Sequence, residues 1–454
     1  MKQTRWAWRG WLACAALACG AACGATAEIR LEAVADHADC RYAAGETGTV
    51  TFTAKDADGR NVATGRVEVA LDDFGPRVLV PPRVVDLARE NPFSVSGTRA
   101  TPGFLRARVR SLTAGMRVRD NNGQTSGVYH FGLAYDPEKI VSGTPDPPDF
   151  DAFWADAIRR LDETVPVDAR LERMPERSAG AVDVFRVSFA TYGGRRVYGW
   201  LTEPKDRAKG PYPVRVTVPG AGIGAVGPGG GADAVTLVMN VHSYPQPEGK
   251  GAEADAARRR AYAEQDAAYA KPCGVARYCQ AGIHKSREDY FYYASILGIN
   301  RAVNWLAARP TADKARFSYS GTSQGGGFGL ILTALNPYIA RSCIFVPALT
   351  DLLGENIEGR QPGWPRILEA QRPENRAAAA RNAPYFCGVN FARRIRTPIR
   401  FVVGFADTTC APAAVWSAYN ACPAADKDIL CGVGMGHLVA SRFYGALGAW
   451  QRQN

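Results

Sequence analysis

Histidine is scarce in this chain, five among 454 residues, and so is methionine, also five. No His-x-Glu-x-x-His spacing occurs among them, so a metal-bound water has little support as the reactive group and no metal is expected. Beyond residue 24 nothing approaches the ~20 consecutive apolar residues that a membrane-crossing helix needs, which argues against a membrane span. Dense basic runs interleaved with aromatics are missing too. The run Arg258-Arg259-Arg260 stands among Ala, Glu and Asp and reads as a solvated face, so nucleic acid is not expected as a partner.

What the chain does have is length for two or three domains and a 46% hydrophobic content able to fill real cores. Its start, 1–27, reads as an export signal. Lys2, Arg5 and Arg9 precede the apolar, small-residue stretch Trp11 to Gly24, and Ala25-Thr26-Ala27 suits a signal peptidase. The mature chain would begin near Glu28, and a secreted or periplasmic location follows. A lipoprotein through Cys19 or Cys23 fits less well, because neither follows a good Leu-small-small run. Removing the signal lowers the formal charge from +11 to +8 and leaves eight of the eleven cysteines. An even number of cysteines in an oxidising compartment is compatible with disulfides, and Cys273 and Cys279 are near enough in sequence to be partners.

Two unlike halves follow. From 28 to 138, alternating stretches such as Gly48 to Thr53 and Gly65 to Ala70 are divided by turn clusters such as Asp56-Ala57-Asp58-Gly59. Their spacing predicts an immunoglobulin-like β-sandwich, without the Cys-Trp-Cys hallmark, that serves as a spacer or packing domain. The region 139–454 opens with a Pro-rich joint, Thr144 to Phe150, that leads into an expected helix, Phe153 to Leu161. There, apolar runs alternate with helical patterns: Pro213 to Val218, Val235 to Val241, the helix Tyr290 to Ala308, Phe317 to Ser320, Cys343 to Val346 and Ile399 to Val403. Such alternation implies a mostly parallel sheet flanked by helices, an α/β fold.

Between one of these strands and the helical pattern Gly326 to Leu335 lies Gly321-Thr322-Ser323-Gln324-Gly325. A G-x-S-x-G turn in that context perches a nucleophilic serine on a tight elbow and aims free helix N–H groups at a developing oxyanion. In this architecture the acid and then the base follow the nucleophile along the chain. His37, His130, His242 and His284 all precede Ser323, which leaves His437, in a glycine-rich loop, as the candidate base. Asp407 stands just past an expected strand and 30 residues before His437, which suits the carboxylate that orients the imidazole. Asp351 is the runner-up, and Asp426 and Asp428 look like turn and edge residues.

Asp149-Phe150-Asp151-Ala152-Phe153-Trp154, Gly199-Trp200-Leu201, the run Gly321 to Gly327, Gly404 to Pro412, Tyr419-Asn420 and Gly436-His437 together resemble the acetyl xylan esterase and cephalosporin-C deacetylase family, carbohydrate esterase family 7, of the α/β-hydrolase superfamily. The resemblance covers about Pro147 to the end of the chain. It implies a triad on Ser323, Asp407 and His437 and an oxyanion hole from the N–H of Gln324 and of Ala221, in the loop Pro219 to Gly224. It also implies an acetyl ester of a small molecule or oligosaccharide as substrate, and no cofactor. Two departures stand out. The family's His-Gly-Tyr is replaced at Gly220-Ala221, and its Arg-Gly-Gln-Gly by Val241 to Gln246, followed by an insertion to about Glu288. These departures and the amino-terminal sandwich leave the family's ring-like hexamer open. His242 reads as a packed or solvent-bonded residue rather than a catalytic one. A prolyl-oligopeptidase-like serine peptidase and a non-catalytic carbohydrate-binding protein are the competing readings.

Overall fold

The computed structural model describes residues 27–75, 77–119, 127–224 and 226–452. The expected export segment therefore lies outside the described residues, except for Ala27. The amino-terminal strands are β1 (Ala27–Ala35), β2 (Arg41–Tyr42), β3 (Thr47–Lys55), β4 (Arg66–Asp72), β5 (Val78–Asp86), β6 (Phe93–Thr98), β7 (Gly103–Ser111), β8 (Met116–Val118) and β9 (Val128–Tyr135). They form two sheets, ordered β6-β3-β1-β8 and β2-β9-β7-β4-β5. Period-two alternation explains the packing. In β3, Val50, Phe52 and Ala54 point inward, while Thr49 and Thr51 point outward to hydroxyls of Ser96 and Ser94. Phe52 meets Phe93 and Phe131 between the sheets, with ring centroids 5.6 and 6.4 Å away.

The second half is built on β10 (Arg170–Arg173), β11 (Val182–Ala190), β12 (Arg196–Pro204), β13 (Tyr212–Thr217), β14 (Val235–Met239), β15 (Ala312–Thr322), β16 (Ile339–Phe345), β17 (Ile399–Gly404) and β18 (Lys427–Gly432). Their order is β10-β11-β12-β14-β13-β15-β16-β17-β18. From β14 to β18 every pair is parallel, while β12 runs antiparallel to both neighbours. All five residues of β14 are buried, as a strand covered on both faces requires. The covering helices include α1 (Phe150–Thr164), α2 (Ala252–Tyr269), α3 (Phe291–Ala307) and α4 (Gln324–Leu335). α1 buries Phe153, Trp154, Ala157 and Leu161 along one stripe. α2 lies within the insertion that the sequence leaves without a fold.

The two halves share one hydrophobic core, running without a break from Ile29 to Ala424. Backbone meets backbone at the junction. A Cβ placed on Gly132 of β9 would sit 1.9 Å from the Phe405 carbonyl oxygen, so only glycine fits there. The Phe104 ring packs edge-on against Phe405 at 5.2 Å. Cys273 and Cys279, near enough in sequence to be partners, are not joined: both are buried thiols, and all eight described cysteines are free. Seven of them are buried and act as small apolar fillers of the core, and Cys431 is half-buried.

Candidate active site

β15 ends at Thr322 and α4 begins at Gln324, which leaves Ser323 alone on the turn with φ 59° and ψ −120°. A non-glycine residue pays for such a conformation in strain, and the surroundings hold it there. The Ser323 N–H donates to the Phe345 carbonyl, and its carbonyl accepts from the N–H of Gly327 and of Ala348. The flanking glycines are obligatory. A Cβ at Gly321 would lie 2.4 Å from the Gly325 carbonyl oxygen, and one at Gly325 only 2.0 Å from that of Val218.

Asp407 lies just beyond β17 and is fully buried. One of its oxygens accepts the N–H groups of Thr409 at 2.8 Å and Cys410 at 3.0 Å, and the other faces His437 Nδ1 at 2.8 Å. A buried carboxylate with only acceptors to offer fixes the tautomer: the proton stays on Nδ1, and Nε2 is left to accept. Nε2 stands 3.0 Å from Ser323 Oγ. Residues 323, 407 and 437, far apart in sequence, are thus joined in one hydrogen-bonded row. The loop that carries His437 is tied to the acid loop, because Phe405 N–H donates to Gly432 and Ala406 N–H to Met435. Burial by itself lowers the His437 pKa, but the hydrogen bond to Asp407 and its charge outweigh that and hold it above the ordinary 6.5.

The other candidate carboxylates are engaged elsewhere. Asp351 accepts from Ser142 Oγ and from the N–H groups of Gly143 and Thr144, so it fastens the segment joining the two halves. Asp426 pairs with Arg400 at 2.6 Å, and Asp428 is exposed. Donor atoms of Asp407, Cys410 and His437 lie within 4.8 Å of one another, a grouping with metal-ligand chemistry. Two of its members are already committed to the row with Ser323. Burial, with the Asp407 charge added, drives the Cys410 thiol pKa well above its usual range, so the thiol stays protonated beside the row.

Gln324, the first residue of α4, has a backbone N–H with no acceptor within its own helix. Its buried side chain accepts from Tyr278 Oη at 2.8 Å and Tyr292 Oη at 2.6 Å and donates to the Pro219 carbonyl at 3.2 Å. The loop Pro219 to Gly224 therefore lies beside the elbow, with Ala221 exposed on it and a Gly220 Cβ placed 3.9 Å from Ser323 Cβ. His242 is buried and packed, as expected. No sequence pattern points to Gln265, Tyr278 or Tyr292, whose roles arise only when the insertion and α3 fold against the elbow.

The family profile "Acetyl xylan esterase (AXE1)" matches residues 137–444. The chain is 27% identical over 403 residues to the acetyl esterase Axe7A of Xylanibacter ruminicola, covering 87% of this chain and 84% of that one. Two solved structures share the fold. The acetyl xylan esterase from Paenibacillus sp. R4 superposes with a TM-score of 0.56 at 20% identity, over 69% of this chain and 97% of that one. Acetyl xylan esterase 1 from Thermoanaerobacterium sp. JW/SL YS485 gives 0.53 at 19% identity, over 69% and 96%. Both lend the α/β-hydrolase fold to the second half. With the profile spanning more than half of its length, the chain belongs to the acetyl xylan esterase family, carboxylic-ester hydrolases of the α/β-hydrolase type.

Proposed function

We propose that this protein is an exported serine esterase that removes acetyl groups from acetylated carbohydrates, with Ser323 as nucleophile, His437 as general base and Asp407 holding the base. The observation that carries the reading is the row Asp407–His437–Ser323, with spacings of 2.8 and 3.0 Å. Ser323 Oγ attacks the ester carbonyl while its proton passes to His437 Nε2. The same proton then goes to the departing sugar oxygen, leaving an acetyl ester on Ser323. Water, deprotonated in turn by His437, attacks that ester, and acetate leaves with Ser323 restored. The N–H groups of Gln324 and Ala221 face the oxyanion in both halves of the cycle, and each such donor typically contributes ~3 kcal/mol. The name of the Axe7A relative, an acetyl esterase, supports acetyl as the acyl group.

The amino-terminal unit, 28–138, is in this reading an immunoglobulin-like support, and 139–454 is the catalytic domain. Export rests on the basic, apolar and small-residue order of the first 27 residues. Among the described residues no helix is long and apolar enough to cross a membrane.

The test is acetate release from acetylated xylan and acetylated xylo-oligosaccharides, with aminoacyl-proline amides as the peptidase control. Ser323→Ala is expected to lower turnover by about 10⁴-fold or more, and to abolish labelling by a fluorophosphonate. Hydrolysis of the amides in preference to the esters would overturn the assignment, as would undiminished labelling of Ser323→Ala.

A further inference from the structure

The insertion between Pro245 and Glu288 reaches the elbow from two directions. His242, just past β14, has its ring enclosed by those of Tyr244, Tyr262 and Tyr278, at centroid distances of 5.2, 5.7 and 4.9 Å. Gln265 of α2 meets it. The side-chain oxygen of Gln265 accepts the Ser243 N–H at 3.1 Å, and a backbone donor of that kind dictates which way the amide points. Its nitrogen therefore faces His242 Nδ1, at 2.7 Å, and donates to it. A neutral ring that accepts at Nδ1 carries its proton on Nε2, which stands 3.3 Å from the Gly222 carbonyl oxygen. Burial lowers the His242 pKa to about 4, so the ring is neutral wherever the base His437 can work. From the other direction, Tyr278, also in the insertion, donates to the Gln324 side chain, whose amide in turn holds Pro219.

We propose that the insertion is a clamp on the oxyanion loop: Gln265 sets the tautomer of His242, His242 holds Gly222, and Tyr278 acts through Gln324 on Pro219. His242, Gln265 and Tyr278 are positioning residues, and the proposal rests on the reading of Ala221 and Gln324 as oxyanion donors. The need for such a clamp is physical. Gly220 and Ala221 are exposed, a glycine stands on each side of the donor, and Gly222 has φ 122°, so the backbone itself supplies little restraint. An oxyanion donor must be held within about 0.5 Å of its working position to be effective. Two carbonyls fixed on either side of Ala221 supply that restraint.

The experiment compares His242→Phe, His242→Gln and Gln265→Met with the unaltered protein, by kcat and KM on 4-nitrophenyl acetate. Affinity for phenylboronic acid, which mimics the tetrahedral state, and the melting temperature complete the set. Phenylalanine keeps the aromatic packing but cannot donate, whereas glutamine places an N–H near the Nε2 position. His242→Phe is expected to lose about 10- to 100-fold in kcat with KM within about twofold, and boronate affinity should fall in parallel. His242→Gln should recover most of the loss. Gln265→Met should lower kcat in the same sense and carries the test if the phenylalanine variant fails to fold. Wild-type kcat in His242→Phe, or equal losses in the phenylalanine and glutamine variants, would overturn the clamp alone. Ester hydrolysis that survives Ser323→Ala would overturn the underlying reading of Ser323 as nucleophile, and the clamp with it.

Discussion

Asp407 accepts two backbone N–H groups on one oxygen and His437 on the other, so the loop fixes the carboxylate before it meets the imidazole. This makes the pH response of the reaction a property of one contact. His437 is raised above 6.5, and it is a base only when neutral, so kcat/KM should fall as pH drops through that raised value and level off above it. Asp407→Asn removes both effects that raise the histidine and leaves the burial that lowers it. The acid limb of the profile should therefore move to lower pH, while kcat drops by roughly 10⁴-fold because the imidazole loses its tautomer control. Initial rates on 4-nitrophenyl acetate between pH 5 and about 9 would record both. An acid limb that stays in place in the variant would mean that another group sets it.

At the scale of elements, the acid loop is pressed from below by the sandwich, where Gly132 backs onto the Phe405 carbonyl two residues before Asp407. Gly132→Ala should thus push the loop as well as strain the core, at a cost of about 1–3 kcal/mol in stability. It should also reduce kcat by about tenfold or more and shift the acid limb downward as Asp407 leaves His437. Gly97→Ala is the control. Its Cβ would meet the Leu71 side chain at 2.2 Å, inside the sandwich and away from Phe405, so it should cost stability while leaving the profile unmoved. The central strands, the elbow and the row of 323, 407 and 437 were legible in the sequence because local pattern and chain order specify them. Val235 to Met239 is apolar but for Thr236, and only one histidine follows Ser323. The packing of Gly132 on Phe405 and the chain from Gln265 to Gly222 were not legible. They depend on residues far apart in sequence that nothing but the folded topology brings together, and α2, rich in Ala and Arg, has no pronounced apolar stripe to announce its docking face.

For the whole molecule, one continuous core links sandwich and catalytic half, and polar contacts join them at its edge. Arg41 lies over the Trp416 ring at 5.1 Å, Asn420 donates to the carbonyl of Pro137, and Arg77 pairs with Glu358 at 2.8 Å. Domains joined by thin linkers unfold separately, whereas domains that share a core lose it together. Scanning calorimetry of the chain from residue 28 onward should therefore give a single cooperative endotherm. Because the described cysteines are free thiols, a reductant should leave its midpoint within about 2 °C, where loss of even one stabilising disulfide would lower it by several degrees. Two resolved transitions would show that the sandwich stands on its own, and Gly132→Ala should then leave the catalytic half undisturbed. A midpoint that falls sharply with reductant would instead show that some of these thiols pair.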